Sequence, residues 1–144
     1  MAKWNQTTFM GSLKDNCMPY ATNVIIDLVK YADDVADVIT WGRGEGYGTM
    51  TFKCKCDDFG VVPLFHVTTS GQIKFLLNHM RQKVRKREIL RDFQLKLESN
   101  FMMDFNEEEY ESDIYYDVDT LFNTKSDIDK FKSTINGITA RLKQ

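Results

Sequence analysis

The stretch Thr49-Met50-Thr51-Phe52-Lys53-Cys54-Lys55-Cys56 decides the fold, because its apolar residues alternate strictly with polar ones. Successive side chains of a strand point to opposite faces, so this segment has one inward and one outward face. Asp58-Phe59-Gly60 then reads as a turn. Residues 61–69 (Val61, Val62, Leu64, Phe65, Val67, Thr68, Thr69 among them) are β-branched and apolar. Ser70-Gly71 supplies a hairpin turn, and Ile73, Phe75 and Leu77 alternate again. Pro63 has no N–H for a ladder, which predicts an edge strand or one that begins near it. Upstream, Val38-Ile39-Thr40-Trp41 reads as a further strand.

Outside this region the period changes. Ala21, Val24, Ile25, Leu28 and Ala32 mark a helix that Pro19 opens at its first turn. Trp4, Phe9 and Leu13 mark a shorter helix, with Asn5 or Thr7 as its cap. From Arg81 to Leu97, Ile89, Leu90, Phe93 and Leu97 share one side of a helix. Residues 99–113 are polar and acidic and read as a loop, and Ile114 to Val118 as a short strand. Ser126 with Asp129 resembles a capping box that opens a helix marked by Ile128, Phe131, Ile135, Ile138 and Leu142. The order ααβββ(β)αβα predicts one α+β domain over residues 1–144. Its antiparallel sheet has three to five strands, with helices mainly on one face.

Composition bounds the function. The chain has 144 residues, 42% apolar and 28% charged, with a net charge of −2, which excludes a uniformly basic nucleic-acid binder. No apolar run approaches the roughly 20 residues of a membrane helix. Three cysteines (Cys17, Cys54 and Cys56) in no disulfide pattern, without a leader peptide, predict the reducing cytosol.

Two segments carry candidate chemistry. In Gly42-Arg43-Gly44-Glu45-Gly46-Tyr47-Gly48, glycine amides can approach a phosphate and Arg43 can add a bidentate charge. The run leads into a strand, not a helix, so the dinucleotide and P-loop motifs both lack their context. A hairpin that needs positive φ at several positions is the simpler explanation. The second segment is basic: between His79 and Lys96 lie Arg81, Lys83, Arg85, Lys86, Arg87, Arg91 and Lys96 against Glu88 and Asp92. A helix so charged can follow a nucleic-acid backbone. Nine acidic and no basic residues follow from Leu97 to Thr124, and packed alongside they would offset that charge.

Other chemistry is thinner. Cys54, Cys56, His66 and His79 all fall in or near the sheet, but Cys54 and Cys56 share a strand face with Met50 and Phe52, as small core residues do, and the parity of His66 leaves its direction open, so no metal is expected. Asp57 or Asp58 with Gln72-Ile73-Lys74 lacks the second acid that a Mg²⁺ nuclease needs. No Gly-x-Ser-x-Gly elbow exists. Tyr110, Tyr115 and Tyr116 among acids suit a protein interface, a homodimer included.

Trp41-Gly42-x-Gly44-x₃-Gly48-Thr49, continued by Leu64-Phe65-x-Val67-x-Thr69-x-Gly71-x-Ile73, resembles a signature of small prokaryotic domains without an assigned activity. The resemblance implies a shared α+β fold and a prokaryotic source, and it supplies no catalytic residue.

The reading that follows is a cytosolic binding or interaction module with no evident catalytic site and no cofactor. Its contact surface is the sheet rim at Trp41 to Thr49 and the following hairpin, with Trp41, Arg43, Gly44 and Gly46 as contact residues. One alternative is a nucleic-acid partner held by Arg43 and the 79–96 helix through Arg81, Arg85, Lys86 and Arg87. Another is an enzyme that binds a small phosphorylated molecule at residues 42–48.

Overall fold

The computed structural model describes residues 4–42, 46–101, 103 and 114–144. Its elements are α1 (Gln6–Asn16), α2 (Pro19–Val35), β1 (Val38–Trp41), β2 (Thr49–Cys56), β3 (Gly60–Thr68) and β4 (Gln72–Phe75). There follow α3 (Leu77–Lys83), α4 (Arg87–Phe101), β5 (Tyr115–Asp117), α5 (Val118–Leu121) and α6 (Lys125–Leu142). The five strands form one antiparallel sheet in the order β1-β2-β3-β4-β5. This is the expected α+β architecture.

Alternation in β2 works as its sequence dictates. Met50, Phe52, Cys54 and Cys56 are buried, whereas Lys55 is exposed. The inner face carries aromatic rings from neighbouring strands: Phe52 stacks on Phe65 with centroids 5.2 Å apart. Two helices close this face. Tyr31 of α2 stacks on Phe52 at 5.9 Å. Phe131 of α6 meets Phe65, Phe75, Phe122 and Phe101 at 5.1, 5.7, 5.4 and 6.3 Å. Burying each such ring contributes roughly 1.5–3 kcal/mol. The Tyr31 hydroxyl donates to the Lys132 carbonyl at 3.1 Å and meets Asn136 Oδ1 at 2.5 Å, so its polar end is satisfied as the ring is buried.

Pro63 lies within β3, not at its start. β4 pairs with β3 only from Phe65 to Val67, so Pro63 sits where that side of β3 has no strand partner. Next to it the ladder skips Leu64: Phe52 pairs with Phe65, and Lys53 pairs with Pro63. That bulge resets the alternation, so Val62 and Phe65 both face inward and His66 faces outward.

The 81–97 helix is two helices. Val84 takes an extended conformation (φ −97°, ψ 112°) between α3 and α4 and is 2% exposed. The apolar stripes explain the break. Leu77, Met80 and Val84 make one stripe, and Leu90, Phe93, Leu97 and Phe101 make another. At about 100° per residue a continuous helix would turn the two about 130° apart, too far for one buried face. Breaking at Val84–Lys86 buries both. Leu77 accordingly belongs to α3, not to the strand before it. α5, one turn at Val118–Leu121, had no signal in the apolar spacing.

Helix starts follow side-chain capping. Asn5, one of the two caps expected, forms a reciprocal box with Thr8 at α1. At α6 the box is Thr124 with Asp127, two residues ahead of the Ser126–Asp129 pair expected. Asp37 accepts from the Lys55 amide at 2.8 Å and pairs with Lys143 at 2.9 Å, tying the end of α6 to the sheet. These bonds, chiefly that with Lys143, hold its carboxyl below the usual value. Residues 102 and 104–113, most of the acidic segment, lie outside the described residues, and so does Tyr110. No described helix is long and apolar enough to cross a membrane.

Candidate ligand groove on the outer sheet face

The register aligns one residue from every strand on the outer face. Thr40 pairs with Thr51, Thr51 with His66, His66 with Lys74, and Lys74 with Tyr115. At the usual spacing of strands, this row of polar and aromatic side chains spans about 19 Å. The adjacent rows, Trp41-Met50-Val67-Ile73-Tyr116 and Ile39-Phe52-Phe65-Phe75, face inward. One face of the sheet is thus core and the other is chemistry.

Part of the outer face is hollow. A groove of about 390 Å³ is lined by Thr40, Gly42, Thr49, Thr51, Lys53 and His66, with Trp41, Pro63 and Leu76 at its edges. His79 of α3 completes the lining. None of these residues is acidic. Among the described residues, the acid in the outer-face register is Asp117, two positions along β5 from Tyr115, within 3.4 Å of Gln72 Nε2.

His66 is the most perturbed group in the groove. Burial first, then the charges of Lys74, Lys53 and His79, push its imidazole down to about 4. It is therefore neutral at physiological pH. Its Nδ1 lies 2.5 Å from Thr51 Oγ1 in a hydrogen bond that fixes the ring. At the β5 end, Lys74 Nζ sits 4.3 Å from the Tyr115 ring centroid, a cation–π contact. Tyr115 also hydrogen-bonds Tyr47, and burial, then Tyr47, raise its hydroxyl above the ordinary tyrosine value. Tyr47 is 47% exposed.

The glycine run has structural work of its own. The Gly42 amide donates to Thr49 O at 3.0 Å, and the Gly48 amide to Thr69 Oγ1 at 2.9 Å. A Cβ on Gly48 would stand 2.7 Å from the Trp4 ring, and Trp4 donates from its backbone to Gly42 O at 3.0 Å. Close approach and internal bonding therefore account for the two ends of the run, and no phosphate is needed to explain them. Gly46 has φ +96°, as a tight turn demands.

The candidate residues of the sequence separate into distinct places. Trp41 borders the groove while its ring packs on Phe9 at 5.4 Å. Gly46 lies in the connecting turn, outside the lining, and Arg43 and Gly44 fall outside the described residues. Arg81 and Arg87 line a second groove of about 1020 Å³ at the α3–α4 junction, together with Arg91 and Gln94. Its other lining residues are Val84, Leu90, Leu95 and the acidic Glu88. Arg85 and Lys86 are exposed in the junction and line neither groove. The basic run is partly neutralised by neighbours. Lys96 pairs with Asp92 at 3.3 Å, and Arg141 of α6 reaches the same carboxylate at 3.1 Å.

Thr51 and Lys53 escaped the sequence reading as site residues, and Lys74, Tyr115 and the two histidines entered it only singly and in other roles. Lys53 and Lys74 were legible as outward members of alternating strands. Their assembly into one surface needed the register and the bulge at Leu64.

The cysteines stand apart from this surface. Cys54 and Cys56 are buried in the core, and burial pushes the Cys54 thiol up to about 11. Cys17 donates to Thr69 O at 3.1 Å. Among the described residues, no three His, Cys, Asp or Glu side chains converge to hold a metal ion.

No family model, curated protein or solved structure matches the chain. The site's chemistry is therefore read from its own residues.

Proposed function

We propose that the protein is a non-catalytic binding module whose contact surface is the outer-face groove, and that its ligand carries phosphate or comparable anionic groups. The carrying observation is the lining itself: Lys53, two histidines and the hydroxyls of Thr40, Thr49 and Thr51, with no carboxylate among the described residues. Hydroxyl and ammonium donors around a neutral imidazole suit an anion, whose charge-assisted hydrogen bonds are the strong kind. The groove adjoins the Trp41–Thr49 rim that the sequence marks as the contact surface.

Thr51 and His66 have the composition of a nucleophile–base pair. An imidazole held near 4 is a weak base at neutral pH, which argues for recognition over acyl or phosphoryl transfer. The α3–α4 groove is the weaker anion site, since Glu88 and an aliphatic floor share it with the arginines. The three free cysteines support a reducing, cytoplasmic setting.

Calorimetric titration with inorganic pyrophosphate at low salt tests this reading. Binding should fall at least tenfold in Lys53→Glu and persist in the double variant Arg87→Ala/Arg91→Ala. Binding that survives Lys53→Glu, or that only the arginine variant loses, would overturn it.

A further inference from the structure

The outer face extends well past the groove. Lys53 and Lys74 stand on β2 and β4, two strands and roughly 10 Å apart across the sheet. Both ammonium groups bear on His66 between them, and Lys74 carries the positive stretch out of the groove as far as the Tyr115 ring. Beyond Lys74 lie Tyr115 and the exposed ring of Tyr47, joined to each other by a hydrogen bond. Cations in a line that ends on an exposed aromatic ring have the pattern of a surface on which a backbone is tracked and a base is stacked. A duplex keeps its bases inside and would leave Tyr47 nothing to stack on.

Resting on the anion-binding reading above, we infer that the outer face is a track for single-stranded nucleic acid, with Lys53 and Lys74 on successive phosphates and Tyr47 under a base. The α3–α4 arginines are not part of this track. Among the described residues their groove has no aromatic side chain in its lining, so it offers phosphate contact without a platform for bases. Asp117 bounds the track at the far end of β5, where its carboxylate repels a phosphate.

The test is fluorescence anisotropy with labelled ten-nucleotide oligo(dT) and oligo(U), a duplex of equal length, and unlabelled pyrophosphate as competitor. Both single strands should bind more tightly than the duplex. The logarithm of affinity should fall with the logarithm of salt at a slope of about −1.4 for two lysine contacts, flattening by about 0.7 in Lys53→Ala or Lys74→Ala. Tyr47→Ala should weaken the oligonucleotides at least about fivefold, and Tyr47→Phe should restore them, because the ring does the stacking. Calorimetric pyrophosphate affinity should stay the same in both tyrosine variants. Unchanged oligonucleotide binding in Tyr47→Ala, preference for the duplex, or loss of binding only in Arg87→Ala/Arg91→Ala would overturn the inference. Lys53-dependent pyrophosphate binding without oligonucleotide binding would refute the track and leave the anion site standing. If neither probe binds, both fail.

Discussion

His66 Nδ1 and Thr51 Oγ1 lie 2.5 Å apart on adjacent strands, and this contact holds a neutral imidazole against two lysines and a second histidine. Its titration has a definite sign. The ordinary value is 6.5 and the folded value is about 4, so the unfolded chain takes up the proton first as pH falls. The stabilisation is complete above pH 6.5 and is lost as pH drops toward 4. Its ceiling is about 3 kcal/mol, and the partial exposure of the ring keeps it below that. Urea unfolding at pH 7.5, 6, 5 and 4.5 should show a decline that His66→Gln lacks. Parallel curves for the two proteins would refute this origin.

Phe131 is the hub of the inner face, touching four other rings from α4, β3, β4 and the turn after α5. Phe131→Ala should cost about 3–5 kcal/mol and leave a cavity between sheet and helices, with Phe131→Leu much milder. Chemical denaturation measures both. A loss below 1 kcal/mol for the alanine variant would show that the layers pack some other way.

Gly48 has no room for a side chain, because the Trp4 ring covers it. Gly48→Ala should destabilise the protein by about 1–3 kcal/mol and push Trp4 off its seat. Comparing the tryptophan emission of Gly48→Ala with that of the parent and of Trp4→Phe should reveal a red shift assignable to Trp4. An unshifted spectrum with unchanged stability would remove the steric explanation for this glycine.

The sequence carried the local rules and missed what depends on register. Strand alternation from Met50 to Cys56, the turns at Gly60 and Gly71, the cap at Asn5 and the apolar stripe of α2 all follow from short-range spacing, and all were legible. The break at Val84 was also encoded, in the phase of two stripes, but no glycine or proline announces it. The bulge at Leu64 was hidden because a proline has several ways to sit in a sheet. For that reason His66 had no assignable face. The row from Thr40 to Tyr115 joins residues up to 75 positions apart, and only the completed sheet brings them together. The contiguous glycine and arginine runs are conspicuous in the sequence instead, yet the fold divides their described members among a turn, a junction and a separate groove.

The most direct test of the outer face as the binding surface is a residue-resolved NMR titration of the whole protein with pyrophosphate. Amide shifts should concentrate at Thr40, Thr51, Lys53, His66 and His79, with residues 84–95 of the α3–α4 groove unmoved. Shifts centred on Arg87 and Arg91, or none at all at millimolar ligand, would contradict the account.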